Sequence, residues 1–539
     1  SIYTPHIFAN SLEDALFAQG YLHAQHRLWQ MDISVRAAAG RLSEIMGKRT
    51  LAMDQLQRKR GIGFAAERAV ESWQNSQYSA ALRAYVDGVN AYIKHLKPKD
   101  YPIEFKLLDY APEEWTMLHT ALFVRQMAFR LNFRHNDIAA TNTLHLLGPT
   151  VFEELFPSWN PKQSPIIPTE GTEVDSATAI LPIIDTTALG AATMLPYQQA
   201  NMPPEGIGSN NWAVAGSKTR SGNPILCNDP HLGLTLPSIW YALQMQTPTL
   251  NTYGVSLPGM PGVIIGFNEH IAWGQTNVGH DLADWYKITW KDERKEAYLL
   301  DGAAQAVTYR VENIGVRDAA TVVDSVKYTH WGPIVYEDAD SDHQDLALRW
   351  MTHDAPHEDE LYCFIALNQA TNYEEFKAAL QHYSVPAQNF VFASKTGDIA
   401  MYVKGKLPIK QTGQGRFVQE GHQRSRAWSG IIPMEELPQS KNPVRAFVAS
   451  ANQHTTAPNY PYYYNSASFD DYRGRFINRQ LSAMQDITPQ DMMALQTSNQ
   501  SLFAEEGLPL LLRDLDKSSL DKAQLTLVKV LEDWKYSFD

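Results

Sequence analysis

Between about residues 157 and 208 the sequence stops reading as core, and that interruption constrains what lies on either side of it. Pro, Thr, Ser, Gly and Ala dominate it, in runs such as Asp185-Thr186-Thr187-Ala188 and Met202-Pro203-Pro204-Glu205. Such a stretch has little apolar surface to bury and reads as a linker or spacer. The segments flanking it follow different periodicities. Upstream, Ser11 with Asp14 gives a capping-box-like start, and Phe17, Tyr21, Leu22, Leu28 and Met31 form a helical stripe. The pattern predicts a helix over 11–46 with Gly47 as its stop, then further helix over 65–96, 116–129 and 136–147. Downstream, short strands are expected at 212–215, 225–228, 263–267, 271–274, 285–290, 321–328, 346–350, 389–393 and 399–403. Helices return near 373–383 and beyond Thr488. No fixed-period repeat is found. Strands flanked by helical blocks suggest an α+β body in which sheet packs against helices.

The 539 residues amount to three or four domains or one large body, and 44% apolar against 19% charged residues supports a substantial core. A net charge of −13 argues against a nucleic-acid surface, because phosphate binding needs clustered Lys and Arg. The basic run Gln57-Arg58-Lys59-Arg60 is short and reads as a solvated helix face. Two cysteines, Cys227 and Cys363, are too few for a disulfide scaffold and leave the redox compartment open. No run of about 18 apolar residues indicates a membrane span. The opening Ser1-Ile2-Tyr3-Thr4-Pro5 lacks the features of a signal peptide. The last residues, Trp534-Lys535-Tyr536-Ser537-Phe538-Asp539, fall within what reads as a helix.

The spacer ends at Glu205-Gly206-Ile207-Gly208-Ser209-Asn210-Asn211-Trp212. If the chain were cut between Gly208 and Ser209, Ser209 would carry both a hydroxyl and a free α-amine. An α-amine has an unperturbed pKa of about 8 and can act as a base near neutral pH. One residue would then supply nucleophile and base together. Other chemistries lack their signatures. There is no HExxH, no P-loop and no GxGxxG, and Gly254-Val255-Ser256-Leu257-Pro258 breaks the GxSxG pattern. His23 and His26 share a helix face without a third ligand, and His353-Asp354-Ala355-Pro356-His357-Glu358 reads as a solvated loop.

Several motifs downstream of Ser209 form an ordered series: Ser209-Asn210-Asn211-Trp212-Ala213-Val214, Asn228-Asp229-Pro230-His231-Leu232-Gly233, Pro258-Gly259-Met260-Pro261-Gly262 and Gly266-Phe267-Asn268-Glu269-His270-Ile271-Ala272-Trp273-Gly274. Upstream stands Ala18-Gln19-Gly20-Tyr21-Leu22-His23-Ala24-Gln25-His26-Arg27-Leu28-Trp29-Gln30-Met31-Asp32. The series resembles the penicillin acylase (penicillin amidase) family of N-terminal-nucleophile hydrolases, from about Thr4 to beyond Arg479.

The resemblance implies an αββα sandwich, two antiparallel sheets between helical layers. It implies a precursor cut after Gly208, with residues 1–160 as a mainly helical small chain, 161–208 as linker or spacer, and 209–539 as a large chain that would continue past Asp539. The two chains would form a heterodimer, exported to the periplasm or secreted. Ser209 would be the nucleophile. The oxyanion donors would be the backbone N–H of Asn277, after Trp273-Gly274-Gln275-Thr276, and the side chain of Asn452, in Val448-Ala449-Ser450-Ala451-Asn452-Gln453. The backbone of His231 would help hold the nucleophile, and Arg473, in Asp471-Tyr472-Arg473-Gly474-Arg475, would orient the site near the α-amine. No cofactor is implied for catalysis.

The resemblance also implies a structural calcium, held by Asp281, the carbonyl of Ala283, Asp284, Asp137 and the carbonyl of Pro408; its remaining carboxylate falls among 462–464, where this chain has tyrosines. Carboxylate and carbonyl oxygens suit such a hard cation. Met127, Leu131, Leu232, Ile265 and Gln275 fall at positions lining the acyl pocket. Penicillin G acylases have aromatic residues at two of these, whereas Leu131 and Leu232 are aliphatic here, and Gln275 adds a polar group. The implied activity is hydrolysis of penicillin-like or other N-acyl amides. Acyl-homoserine-lactone or lipopeptide acylase activity is the alternative with the same chemistry. An unprocessed binding scaffold and a two-carboxylate glycosidase are rivals of other classes.

Overall fold

The structure is a computed structural model that describes residues 3–133, 136–157, 159–168, 208–336, 345–464 and 470–538. Most of the expected spacer, 169–207, therefore lies outside the described residues, including the runs around Asp185 and Met202.

The first third folds as helices. Leu12–Ala39 begins where the Ser11 hydroxyl accepts the N–H of Asp14 at 3.1 Å, as the capping pattern predicts. It ends at Gly40 rather than at Gly47. Gly40 turns left-handed (φ 62°), and a Cβ there would lie 2.6 Å from the carbonyl oxygen of Asp54. The Asp54 carboxylate then takes the N–H groups of Leu42 and Ser43, at 3.0 and 2.6 Å, and starts a new turn. The predicted 65–96 helix is two, Ile62–Trp73 and Ser79–His95, and Met117–Asn132 follows.

Four layers build the rest. An eight-stranded sheet runs in the order His6–Phe8, Tyr241–Thr247, Leu250–Ser256, Ile265–Asn268, Ile271–Asn277, Gln388–Ser394, Ile399–Lys404, Gln439–Lys441, antiparallel except for its first pair. A three-stranded sheet places Gly208–Val214 between Phe447–Ser450 and Ile225–His231. Alternation along the strands decides which face goes where. Ala213 and Val448 of the small sheet meet Val391, Ala393, Ile399 and Met401 of the large one in a dry seam. On the far side of the large sheet, Phe390, Phe392 and Tyr402 belong to one core with Phe376 of the helix Tyr373–Ala379 and Leu380 at its end. On the far side of the small sheet, Trp212 and Val214 pack on Ile477 and Leu481 of the helix Tyr472–Ala483. The order helix, sheet, sheet, helix is the expected αββα sandwich. A further six-stranded sheet, Thr308–Ile314 through Gln419–Glu420, extends from it.

The end of the first segment is part of this body. Ile166 is fully buried in the seam between the sheets, and the N–H groups of Ile166 and Ile167 donate to His454 O and Thr455 O at 3.1 and 2.8 Å. Of the segment expected as linker over 161–208, Ile166, Ile167 and Gly208 belong to packed structure. An isoleucine that fills a core seam cannot also serve as loose tether.

Candidate active site

Ser209 is the second residue of the central strand of the small sheet and is 4% exposed. Its neighbour Gly208 stands opposite His231 in the ladder, so His231 lies beside the Gly208–Ser209 bond through its backbone while its imidazole pairs with Asp229 at 3.1 Å. A Cβ on Gly208 would lie 2.7 Å from Arg473 Nη2 and 3.0 Å from Asn452 Oδ1, which explains a residue without a side chain there.

Asn452 bonds to both the nitrogen and the Oγ of Ser209. Its Oδ1 accepts the Ser209 N–H at 2.6 Å, and its Nδ2 donates to Ser209 Oγ at 3.2 Å and to Asn277 O at 2.9 Å. It does so from a left-handed backbone (φ 68°), which asparagine tolerates better than most residues. The Asn277 N–H, at the end of Ile271–Asn277, donates to Ser209 Oγ at 3.3 Å. Arg473 donates from Nη1 to Ser209 O at 3.2 Å and to Asn210 Oδ1 at 2.7 Å, and from Nη2 to Asn452 Oδ1 at 3.2 Å. Burial draws its guanidinium below the ordinary arginine value, against the opposing pull of Asp470 and Asp229. Ser209, Asn277, Asn452 and Arg473 are far apart in sequence and form one cluster in the fold.

Three further asparagines hold the cluster. Asn132 Nδ2 donates to Asn277 Oδ1 at 3.0 Å, and Asn389 Nδ2 donates to Asn277 O at 3.2 Å. Asn228 crosses between the two sheets. Its Nδ2 reaches Asn210 O at 2.8 Å and Gln275 O at 3.1 Å, while its Oδ1 takes the Gln275 N–H at 2.8 Å. A lone asparagine in a helix or strand carries no sequence signature, so only Asn228 lay within a quoted motif, and there without a role.

A cavity opens onto Ser209 and Asn277, and all five predicted pocket residues line it: Met127, Leu131, Leu232, Ile265 and Gln275. Phe364 and Tyr383 add an aromatic wall that sequence reasoning missed. The Gln275 amide is turned to the backbone, its Nε2 donating to Ile264 O at 3.0 Å. The pocket thus stays mainly apolar despite it.

The expected calcium ligands come together only in part, and around a different cation. Lys410 Nζ lies 2.7 Å from Asp281 Oδ2 and 2.7 Å from Asp284 Oδ1. The remaining oxygens of the three aspartates also have donors. Asp284 Oδ2 takes the Trp428 indole N–H at 2.6 Å, Asp281 Oδ1 the Ala283 N–H at 3.2 Å, and Asp137 the N–H groups of Ile138 and Trp285 at 3.2 and 3.0 Å. Ala283 and Pro408 are held in β-ladders, opposite Trp350 and Ile431. Calcium takes about six to eight oxygens at about 2.3–2.6 Å. An ion at that distance from both Asp281 and Asp284 would overlap the ammonium, so the donor set does not fit one. Burial alone would lower the Lys410 ammonium, but Asp281 and Asp284 carry it above the ordinary lysine value. Burial, then the charges of Asp281 and Asp284, hold the Asp137 carboxyl well above the usual carboxylate range.

A serine gripped at both N and Oγ, on a strand of a four-layer αββα sandwich, defines the N-terminal-nucleophile hydrolase class. The chain belongs to the penicillin amidase family, whose profile matches residues 2–539. It is 28% identical to an acyl-homoserine lactone acylase (QuiP) of Pseudomonas aeruginosa, an alignment covering 99% of this chain and 64% of that protein. It is 27% identical to the penicillin acylase 2 proenzyme of Pseudomonas sp. SE83, over 92% of this chain and 63% of that one. Among solved structures, a thermostable penicillin G acylase from Alcaligenes faecalis superposes with a TM-score of 0.53 at 22% identity, over 61% of this chain and 59% of that one. That likeness concerns the fold. The chain spans less than two thirds of the length of these relatives.

Proposed function

We propose that this protein is an acylase that cuts its own chain at Gly208–Ser209 and then hydrolyses N-acyl amides with Ser209 as N-terminal nucleophile. The observation that carries the reading is the Asn452 amide, bonded at once to Ser209 N and Ser209 Oγ beside a second donor and at the mouth of an apolar cavity.

In the intact chain Ser209 N is an amide nitrogen and holds no basic lone pair. Ser209 Oγ adds to the Gly208 carbonyl, the Gly208–Ser209 C–N bond breaks as an ester forms, and water hydrolyses the ester. The products are a Gly208 carboxylate and a free Ser209 amine. That amine then takes the Oγ proton as Oγ attacks the substrate carbonyl. The N–H of Asn277 and the Nδ2 of Asn452, now directed at Oγ, are close enough to receive the oxyanion. Neither donor brings a titrating charge, and losing one such donor typically costs about 3–4 kcal/mol of barrier. The proton passes to the leaving amine, and water then releases the acyl group as a carboxylic acid. Arg473 disfavours a second positive charge nearby and so keeps the α-amine in its neutral, basic form.

The acyl group enters the cavity. Penicillin-like amides are one substrate class, supported by the family and by the penicillin acylase relative. A second reading, acyl-homoserine lactones, is favoured by the aliphatic Leu131 and Leu232 on the cavity wall and by the lactone acylase relative. The mature form in this reading is a heterodimer of the two fragments, in the periplasm or outside the cell. The test is intact-mass and N-terminal analysis of purified protein, followed by a panel of phenylacetyl and graded-length acyl anilides and lactones. The expected result is a large fragment beginning Ser-Asn-Asn-Trp that releases amine from at least one class. An active protein that remains one uncut chain overturns the reading.

A further inference from the structure

We propose that Lys410 is a built-in cation that does permanently what a divalent metal would do among Asp137, Asp281 and Asp284. The inference rests on three features of the cluster. The ammonium is equidistant, 2.7 Å, from one oxygen of each of two aspartates, with its side chain 1% exposed and that of Asp284 fully buried. Two ionised carboxylates brought so close inside a protein need a positive partner between them. Each carboxylate oxygen already accepts from a protein donor, so the chain itself supplies the full complement. Finally, Gly415 roofs the cluster. A Cβ there would lie 2.2 Å from Asp281 Oδ2 and 2.6 Å from both Asp284 Oδ1 and Lys410 Nζ. The cradle is closed around an ammonium and leaves no room for an ion with its own oxygen shell.

The location gives the substitution a purpose. Asp281 lies on the segment between Asn277, the last residue of its strand, and Ala283–Lys287 of the six-stranded sheet, and Asp284 is the second residue of that strand. Asp137 anchors the helix Asn136–Leu155 to the same strand through the Trp285 N–H. Lys410, just past Pro408–Ile409, draws these pieces together from a third element. The segment leaving the oxyanion donor is therefore fastened by a covalently attached charge, one that cannot be diluted or chelated away. Lys410 is a positioning residue and touches neither Ser209 nor the cavity.

The test uses metal content and melting, which do not depend on the acylase reading. Protein purified with calcium and without chelator is analysed by elemental mass spectrometry, then melted in EDTA and in millimolar calcium chloride. The expected result is far less than one calcium per chain and the same melting temperature in both buffers. About one calcium per chain, with a melting temperature several degrees lower once it is stripped, overturns the proposal. Lys410→Met should melt lower than the unaltered protein in EDTA and regain part of the loss in calcium, because it leaves Asp281 and Asp284 facing each other without a cation. Equal melting of Lys410→Met and the unaltered protein in EDTA overturns it. Should Lys410→Met yield no soluble protein, Lys410→Met with Asp284→Asn, which removes the charge in need of a partner, is expected to restore it. Failure of that pair to do so also counts against the proposal.

Discussion

Asn452 carries more of the proposed chemistry than its size suggests, because one planar amide meets Ser209 at both nitrogen and oxygen. Replacing it with alanine removes an oxyanion donor and the partner of the Ser209 N–H together. We expect Asn452→Ala to lower kcat by about 10²–10³-fold with a smaller change in KM, read by steady-state kinetics on the best amide of the panel. Ser209→Ala should remain a single uncut chain on a denaturing gel and show no turnover. Gly208 tests the same space from the other side. The group added in Gly208→Val would press on Arg473 and Asn452, so scission should slow, and a time course on gels should show precursor persisting longer than in Gly208→Ala. Arg473 bears on pH. A free amine active as a base loses activity as it is protonated, so kcat/KM should fall toward acid with a limb set by the amine. Arg473→Leu removes a nearby positive charge and so favours protonation. Its acid limb should move up by about one pH unit.

The strands and helices that hold these residues make their own predictions. Asn228 joins the small sheet to the large one, and Asn228→Ala would leave the buried Gln275 N–H without its acceptor, at a cost of about 1–3 kcal/mol. A lower midpoint in urea denaturation measures it. In the first helix, His23 is fully buried between Tyr85 and Ser256, with ring nitrogens 2.9 Å from each hydroxyl. Burial, then Arg27 and His26, lowers its pKa to about 3. Burial likewise lowers His353 to about 4. Each is depressed in the folded state, so its stability contribution is full above the unfolded value of about 6.5 and lost as pH falls toward the folded value. Between about pH 6.5 and 4, folding stability should therefore drop by about 1 kcal/mol per pH unit for each histidine. Urea midpoints across that window should show the slope, and His23→Gln should flatten it.

At the scale of the molecule, the sequence was most legible where function had left ordered motifs. Ser209 stands out in its own segment, whereas Asn277, Asn452 and Arg473 are legible only through the family resemblance that the ordered motifs carry, and the fold gathers all four into one cluster. The change of periodicity across the spacer gives sheet packed with helices, and the four layers come only with the family resemblance. The hairpin Tyr241–Thr247 and Leu250–Ser256 was missed, because Leu243, Gln244, Met245 and Gln246 are residue types equally at home in a helix. The buried alternate positions Tyr241, Leu243, Met245 and Thr247, on one face of a paired strand, identify it as sheet. Lys410 was illegible for a different reason. Its carboxylate partners lie 129 and 126 residues away, and no local pattern announces an ion pair closed over that distance. The helix stop at Gly40 depended on where Asp54 lands, which is again a tertiary fact.

The tail that precedes the spacer has a consequence for the mature protein. Gln453 Nε2 donates to Ser164 O at 3.1 Å, next in sequence to Asn452, and Ile166 and Ile167 donate to the two residues that follow. Once the backbone is severed, the shorter polypeptide would still act as a splint on the loop that presents the oxyanion amide. Expressed from separate genes, neither half should turn over substrate alone. Mixing them should restore activity with a concentration dependence set by the extensive core shared by the two halves, and a shorter half truncated before Ser164 should still bind its partner yet leave the amide poorly aimed.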